Sequence, residues 1–161
     1  MKNLPKLLIV VSLVCSLVGF IAACSEEADC SATARPMMQC NLYRLNAETE
    51  LVENDTLESL TVTAYGTDSV IINNQQQVRD LSLPLSYTAD STKLIFHYAD
   101  NQEDTVVIFQ TNTPYFLSMD CGYQMKQSIT GVRYTRTLLD SIAIRNKEAG
   151  IYGTENLRLF Y

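Results

Sequence analysis

KLIFHYADNQEDTVVIFQT, residues 93–111, holds two apolar-rich runs, KLIFHYA and TVVIFQT, on either side of the polar connection DNQED. Runs of this length, rich in β-branched and aromatic residues and split by turn formers, read as the two strands of a hairpin. The alternation extends upstream. In LTVTAY, Leu60, Val62 and Ala64 share one face and Thr61, Thr63 and Tyr65 the other, the pattern of a strand with one buried side. DLSLPLS places Leu81, Leu83 and Leu85 together, while Pro84, on the opposite face, lacks a backbone donor and assigns this strand to a sheet edge or a bulge.

Working outward, MQCNLYRL, PYFLSM, the long segment VRYTRTLLDSIAI (Val132–Ile144) and NLRLFY extend the series. The total is about eight or nine strands at regular spacing, with no capped helical stripes, no repeats and no long low-complexity run. The expectation is an all-β fold, an antiparallel β-sandwich of immunoglobulin-like shape, with a β-barrel as the alternative. RTLLDSIAI leaves room for one short helical turn.

The amino-terminal end follows different rules. Lys2 and Lys6 precede the apolar run LLIVVSLVCSLVGFI (Leu7–Ile21), and two alanines lead to Cys24. A basic start, an apolar middle and a small-residue cleavage zone make a secretory signal, and the run is short for a spanning helix, which needs roughly 20 apolar residues. Ile21-Ala22-Ala23-Cys24 resembles the bacterial lipobox, in which the thiol takes a diacylglycerol and the chain is cut just before it. Two or three acyl chains, at about 0.8 kcal/mol per buried CH₂, give lasting attachment to a membrane. Ser25-Glu26-Glu27 resembles the export signal by which Bacteroidetes lipoproteins reach the outer face of the outer membrane, although Ala28 stands where a third acid is preferred. The expected organisation is a signal peptide over 1–23, a lipidated tether over 24–36 and a single domain over 37–161. The expected location is the outer membrane, at the cell surface, with the periplasmic face as the alternative.

Removing 23 residues from 161 leaves 138, enough for one domain with its own core. The signal takes two of the 12 basic residues and none of the 18 acids, so the mature chain carries −8. That balance argues against nucleic acid as a partner. Cys30, Cys40 and Cys121 remain in an oxidising compartment, where three thiols make one disulfide and leave one over. Cys30–Cys121 is the preferred pairing and Cys40–Cys121 the alternative. The first would close a loop of about 90 residues, for which the chain-entropy model gives on the order of 4 to 5 kcal/mol. Cys40 alternates in phase with Met38 and Leu42, as a small core residue would.

Taken together, CNLYRL, SVIIN, LSLPLS, DSTKLIF, the Cys-Gly of MDCGY and VRYTRTLLDSIAI make the chain similar to an uncharacterised family of small Bacteroidetes cell-envelope lipoproteins, a domain of unknown function. The resemblance covers nearly the whole mature domain. An early cysteine and one followed by glycine recur in that family, which implies the Cys30–Cys121 pairing. It implies a location and an architecture, and no reaction.

Candidate chemistry is sparse. His97, the single histidine, falls mid-strand, with no nucleophile elbow in the sequence to partner it. Asp100, Glu103 and Asp104 read as solvated turn residues rather than paired catalytic carboxylates. No CxxC or EF-hand spacing points to a metal, and no cofactor is expected. Tyr65, Tyr98, Tyr115, Tyr123 and Tyr134 lie in or beside strands, as strand formers do and as sugar-stacking rings would. Arg133, Tyr134 and Arg136 form an aromatic-basic cluster, a candidate binding edge. Asp-Ser/Thr followed in most cases by an aliphatic residue occurs five times, and Thr56, Ser69, Ser91, Thr105 and Ser141 are candidate O-glycosylation acceptors of the kind this bacterial group modifies. Turn chemistry alone also produces such tripeptides where strands begin. The expected function is that of a non-enzymatic, membrane-anchored module binding or assembling an envelope protein, with a glycan-binding accessory role as the alternative.

Overall fold

The hairpin read from Lys93–Thr111 is present, and the rest of the domain is arranged around it. The computed structural model describes residues 35–67 and 69–161, and these contain strands and turns with no helix. In chain order the strands are β1 (Met37–Leu45), β2 (Val52–Asn54), β3 (Leu57–Ala64), β4 (Val70–Val78), β5 (Asp80–Pro84), β6 (Ser91–Tyr98), β7 (Glu103–Ser118), β8 (Gly122–Tyr134), β9 (Ser141–Ile144), β10 (Glu148–Ala149) and β11 (Glu155–Phe160). One sheet has the order β10-β8-β7-β6-β3-β4. The other has β2-β1-β11-β9, with β5 sharing the β2 side of β1.

The two sheets pack over one apolar core. Met38, Cys40 and Leu42 of β1, Leu81 and Leu83 of β5, and Leu157 and Leu159 of β11 are buried on one side. Leu60 and Val62 of β3, Leu94 and Phe96 of β6, Val106 and Ile108 of β7, and Ile129 of β8 are buried on the other. Each set comes from alternate positions, because successive side chains on a strand point to opposite faces. The sandwich expectation therefore holds, and so does the core position of Cys40. Burial pushes the Cys40 thiol far above its ordinary pKa, so it stays protonated and packs as an apolar group.

Pro84 behaves as its chemistry requires: among the described residues β5 pairs only with β1, so its other side is an edge of the described sheet. β4 is the other long edge. Its exposed Asn-Gln run is bent by positive φ at Asn74 (43°) and Gln77 (52°) and by register shifts against β3, which hinders edge-to-edge pairing.

Four details differ from the sequence reading. The described residues form 11 strands rather than eight or nine, because β2 and β10 are only three and two residues long, too short to leave a periodic signal. PYFLSM is not a separate strand but continues β7, which runs for 16 residues. Val132–Ile144 is not one segment: β8 ends at Tyr134, an irregular loop follows, and β9 begins at Ser141 with no helical turn between. The sandwich is also not wholly antiparallel, since β1 and β11 pair in parallel with Cys40 opposite Leu157 and Leu42 opposite Leu159.

Two buried polar side chains hold the irregular parts. Asp104, expected in a solvated turn, is fully buried and accepts from the Thr135 hydroxyl (2.7 Å) and from the backbone N–H groups of Thr137 (2.7 Å), Leu138 (2.9 Å) and Leu139 (2.9 Å). Burial alone would raise its pKa. The four donors, led by Leu139 and Thr135, outweigh that and hold the carboxyl below its ordinary value. Asn156 is likewise buried: its Oδ1 accepts from Gln39 N–H at 2.9 Å, where the β1–β11 register shifts, and its amide donates to the carbonyls of Asn146 and Glu148.

Candidate functional site

Beyond the sandwich, β7 and β8 continue alone. β6 leaves β7 after the Ser91–Phe109 pair, and β10 covers β8 only at Gln127 and Ser128. From Thr113 to Met125 the two strands pair, among the described residues, only with each other, ending at the Ser118–Gly122 turn. We call this hairpin the arm. Its turn is built locally: Ser118 Oγ accepts from Cys121 N–H at 3.0 Å, and Gly122 takes φ +70°, where a side chain would be strained. The glycine after Cys121 is thus a conformational requirement of the arm tip.

The arm is apolar and exposed. Met119 is 89% exposed and Tyr123 76%, and Phe116, Tyr115 and the neighbouring Tyr152 are also open to solvent. Phe116 and Tyr123 meet edge to face across the strands at 5.4 Å between ring centres. From Thr111 to Met125 the sequence has one charged residue, Asp120, in a chain of 30 charged residues. An isolated two-stranded ribbon is marginally stable in water, so a hairpin of this kind needs a brace. Cys121, at its tip, is disulfide-bonded.

The base of the arm is pinned by an amide cluster. Gln110, Asn112 and Gln127 all donate to the Ser86 carbonyl, at 2.8, 3.0 and 2.9 Å, and Asn112 also reaches Ala89 O at 2.7 Å. Thr92 donates to Gln110 Oε1 and Gln127 donates to Asn112 Oδ1, each at 2.9 Å. Among the described residues, Gln127 Oε1 finds no partner, the one cost of an otherwise satisfied network. Arg35 and Pro36, the first described residues, lie at this same place. Arg35 donates to Leu85 O at 2.7 Å and stacks 4.8 Å over the Tyr87 ring, and Pro36 lies in a groove with Tyr115 and Gln124.

That groove, about 300 Å³, is lined by Pro36, Tyr115, Met125, Ala149, Ile151 and Tyr152 among others, and is mostly apolar. A larger cleft of about 520 Å³ lies along Gln39, Asn41, Thr56, Arg79 and Asp80. It is polar, open and already internally bonded, with Gln39 donating to Ser82 and Arg79 to Thr56. The apolar groove is the better candidate binding surface, because apolar lining with a few polar groups is what ligand sites share.

The residues singled out from sequence scatter around this feature. Cys24, Ser25, Glu26, Glu27 and Cys30 lie outside the described residues. Cys121 sits at the arm tip, and because Cys40 is free the Cys40–Cys121 alternative is excluded. Arg133 and Arg136 are exposed, each 5.8 Å from an aromatic ring, Phe109 and Tyr134 respectively. They lie on the body of β8 and the loop after it, apart from the groove. His97 joins the Thr63 hydroxyl and the Glu103 carboxylate, both at 2.9 Å, as a cross-strand link. Thr56, Ser69, Ser91 and Ser141 sit at or next to the starts of β3, β4, β6 and β9, where the turn reading of those tripeptides places them, whereas Thr105 lies inside β7, paired with Ile95. Ser69 is exposed, whereas Thr56, Ser91, Thr105 and Ser141 are partly buried, and Asp68 lies outside the described residues. Of the five tyrosines, Tyr98 is buried against Tyr161 and only Tyr65, Tyr115 and Tyr123 are well exposed, Tyr65 beneath the Lys93 ammonium. Among the described residues no cluster of three or more His, Cys, Asp or Glu is placed to hold a metal.

Sequence reasoning missed Phe116, Met119 and Tyr152, and the amides beneath them. The available signal was the nearly uncharged run from Thr111 to Met125 on both sides of Cys121-Gly122. No curated protein and no solved structure matches the chain. A family model does, over residues 59–161, from within β3 to the carboxyl end and including the whole arm, and the chain belongs to that family of unknown function, DUF6452.

Proposed function

We propose that the protein is a non-enzymatic lipoprotein of the cell envelope, held to the outer membrane through acylated Cys24 and directed to the cell surface by Ser25-Glu26-Glu27. Its sandwich serves as a rigid mount for a binding surface that engages another envelope component. The observation that carries this reading is the pairing of an uncharged arm with an apolar groove at its base, on an otherwise acidic domain. Exposed apolar surface of this kind marks an interaction site. Cys30 is the natural partner of Cys121. It lies six residues before Pro36, which lines the groove beside Tyr115, and six extended residues reach about 20 Å. That is enough to run along the arm to its tip.

The test is affinity purification from native membranes with cross-linking, comparing the wild type with Tyr152→Ala. Tyr152 is 88% exposed at the groove, so the variant should fold. A discrete envelope protein recovered with the wild type and lost with the variant is the expected result. Equal recovery would remove the groove from the proposal.

A second reading has one observation in its favour: Tyr115 and Tyr152 both line the groove, as rings that stack on sugars would. On that reading the protein is a glycan-binding accessory, and soluble polysaccharide should compete with whatever Tyr152→Ala loses. O-glycosylation at one or more of the five acceptors belongs to the same proposal, with Ser69 the most accessible. An intact mass equal to peptide plus lipid would refute it.

A further inference from the structure

We infer that the arm tip, Phe116, Met119 and Tyr123, is a membrane-contact element that rests in the interfacial region of the bilayer to which the chain is anchored. The inference rests on the proposed acylation of Cys24 and the proposed Cys30–Cys121 bond. Two observations lead to it independently of each other.

The first is the length of chain between the anchor and the domain. Cys24 and Cys30 are six residues apart, which spans at most about 20 Å fully extended. A disulfide adds about 5.5 Å between its Cα atoms. The acylated residue therefore cannot lie further than roughly 25 Å from Cys121. Met119 is two positions from Cys121, at the same turn. Arg35 and Pro36, the first described residues, also lie at the base of the arm, Arg35 donating to Leu85 O and Pro36 lining the groove beside Tyr115.

The second is the chemistry of the tip. Phe116, Met119 and Tyr123 are exposed although a sandwich core is available to bury such side chains. Asp120 is the only charge from Thr111 to Met125, whereas the rest of the chain is acidic and would be held off an anionic surface. Tyrosine and phenylalanine at a lipid headgroup boundary place ring in apolar and hydroxyl in polar surroundings, the preference seen in interfacial anchors. Tethering keeps the tip at high effective concentration near that boundary, so weak intrinsic affinity suffices. A lipid surface fits these constraints better than a protein partner, which the tether would not bring to the tip.

The chain has no tryptophan, so a single introduced one reports its own surroundings. The experiment uses the mature lipidated protein, purified from native membranes and reconstituted into neutral phosphatidylcholine vesicles carrying brominated acyl chains. Met119→Trp is compared with Asp100→Trp, in the turn at the opposite end of β7. The expected result is blue-shifted indole emission from the Met119→Trp protein that loses most of its intensity to the brominated lipid, with emission from the Asp100→Trp protein unaffected. Tyr123→Trp serves as a second tip probe. Unquenched emission from both tip probes, on protein whose mass shows the lipid on Cys24 and whose unreduced peptide map shows Cys30–Cys121, overturns this inference and leaves the lipoprotein reading standing. A different disulfide, with the lipid present, overturns this inference alone, and a mass without lipid overturns both.

Discussion

The body of the sandwich and the arm are made from the same two strands under opposite rules. In the body, β7 and β8 bury Val106, Ile108 and Ile129 and are flanked by β6 and β10. In the arm, the same strands have no other described strand beside them and turn tyrosine, phenylalanine and methionine to solvent. Between the two lies a belt of amides, Gln110, Asn112 and Gln127, that closes the core with hydrogen bonds instead of apolar contact. The lesson is that strand character alone does not tell a buried stretch from an exposed one. What separates them is whether a second sheet is present to cover the apolar face.

The contrast predicts where substitutions will matter. Asp104→Ala should act most strongly, since it leaves three backbone N–H groups and a hydroxyl without their acceptor. The expected loss is about 3 to 5 kcal/mol, with each orphaned donor costing on the order of 1 to 3 before water or rearrangement relieves it. Urea denaturation measures it. The same carboxylate makes stability depend on acid. Its folded pKa is depressed, so its contribution is complete above the unfolded value near 3.9 and is lost as pH falls through the lower folded value. Asp104→Asn should flatten that part of the pH–stability curve.

Asn156→Ala comes next, at about 2 kcal/mol, because it frees the Gln39 N–H and two carbonyls where the parallel pair shifts register. Cys121→Ser should lower global stability by less than the roughly 4 kcal/mol of the chain-entropy model, since it releases a peripheral arm that opens without opening the core. Its signature is local: amide exchange should accelerate from Asn112 to Lys126 and stay unchanged in β3 and β6. If β3 and β6 lose protection as well, arm and body are one cooperative unit and the contrast fails. Met119→Ser should leave the urea midpoint unchanged, because the side chain is almost wholly exposed.

Much of the body could be read from sequence. Leu60 and Val62 in LTVTAY, the Leu81, Leu83 and Leu85 row, and Cys40 in phase with Met38 and Leu42 are all buried as the alternation requires. Pro84 marked its edge because a missing N–H is a local fact. Asp104 misled for the opposite reason: in DNQED it looks like its neighbours, and only the return of Thr135–Leu139 across the start of β7 supplies its four donors. The arm was misread as a separate strand, PYFLSM, since nothing local says that β7 outruns β6.

The amino-acid sequence by itself therefore determined the strand faces, the edge proline and the core thiol, because each follows from a side chain's own shape or its period of two. Only the tertiary structure decided that the first and last strands pair in parallel, that a carboxylate in a polar loop is buried, and that one hairpin stands clear of the sandwich. Those depend on contacts between residues far apart in the chain, which a local pattern does not encode.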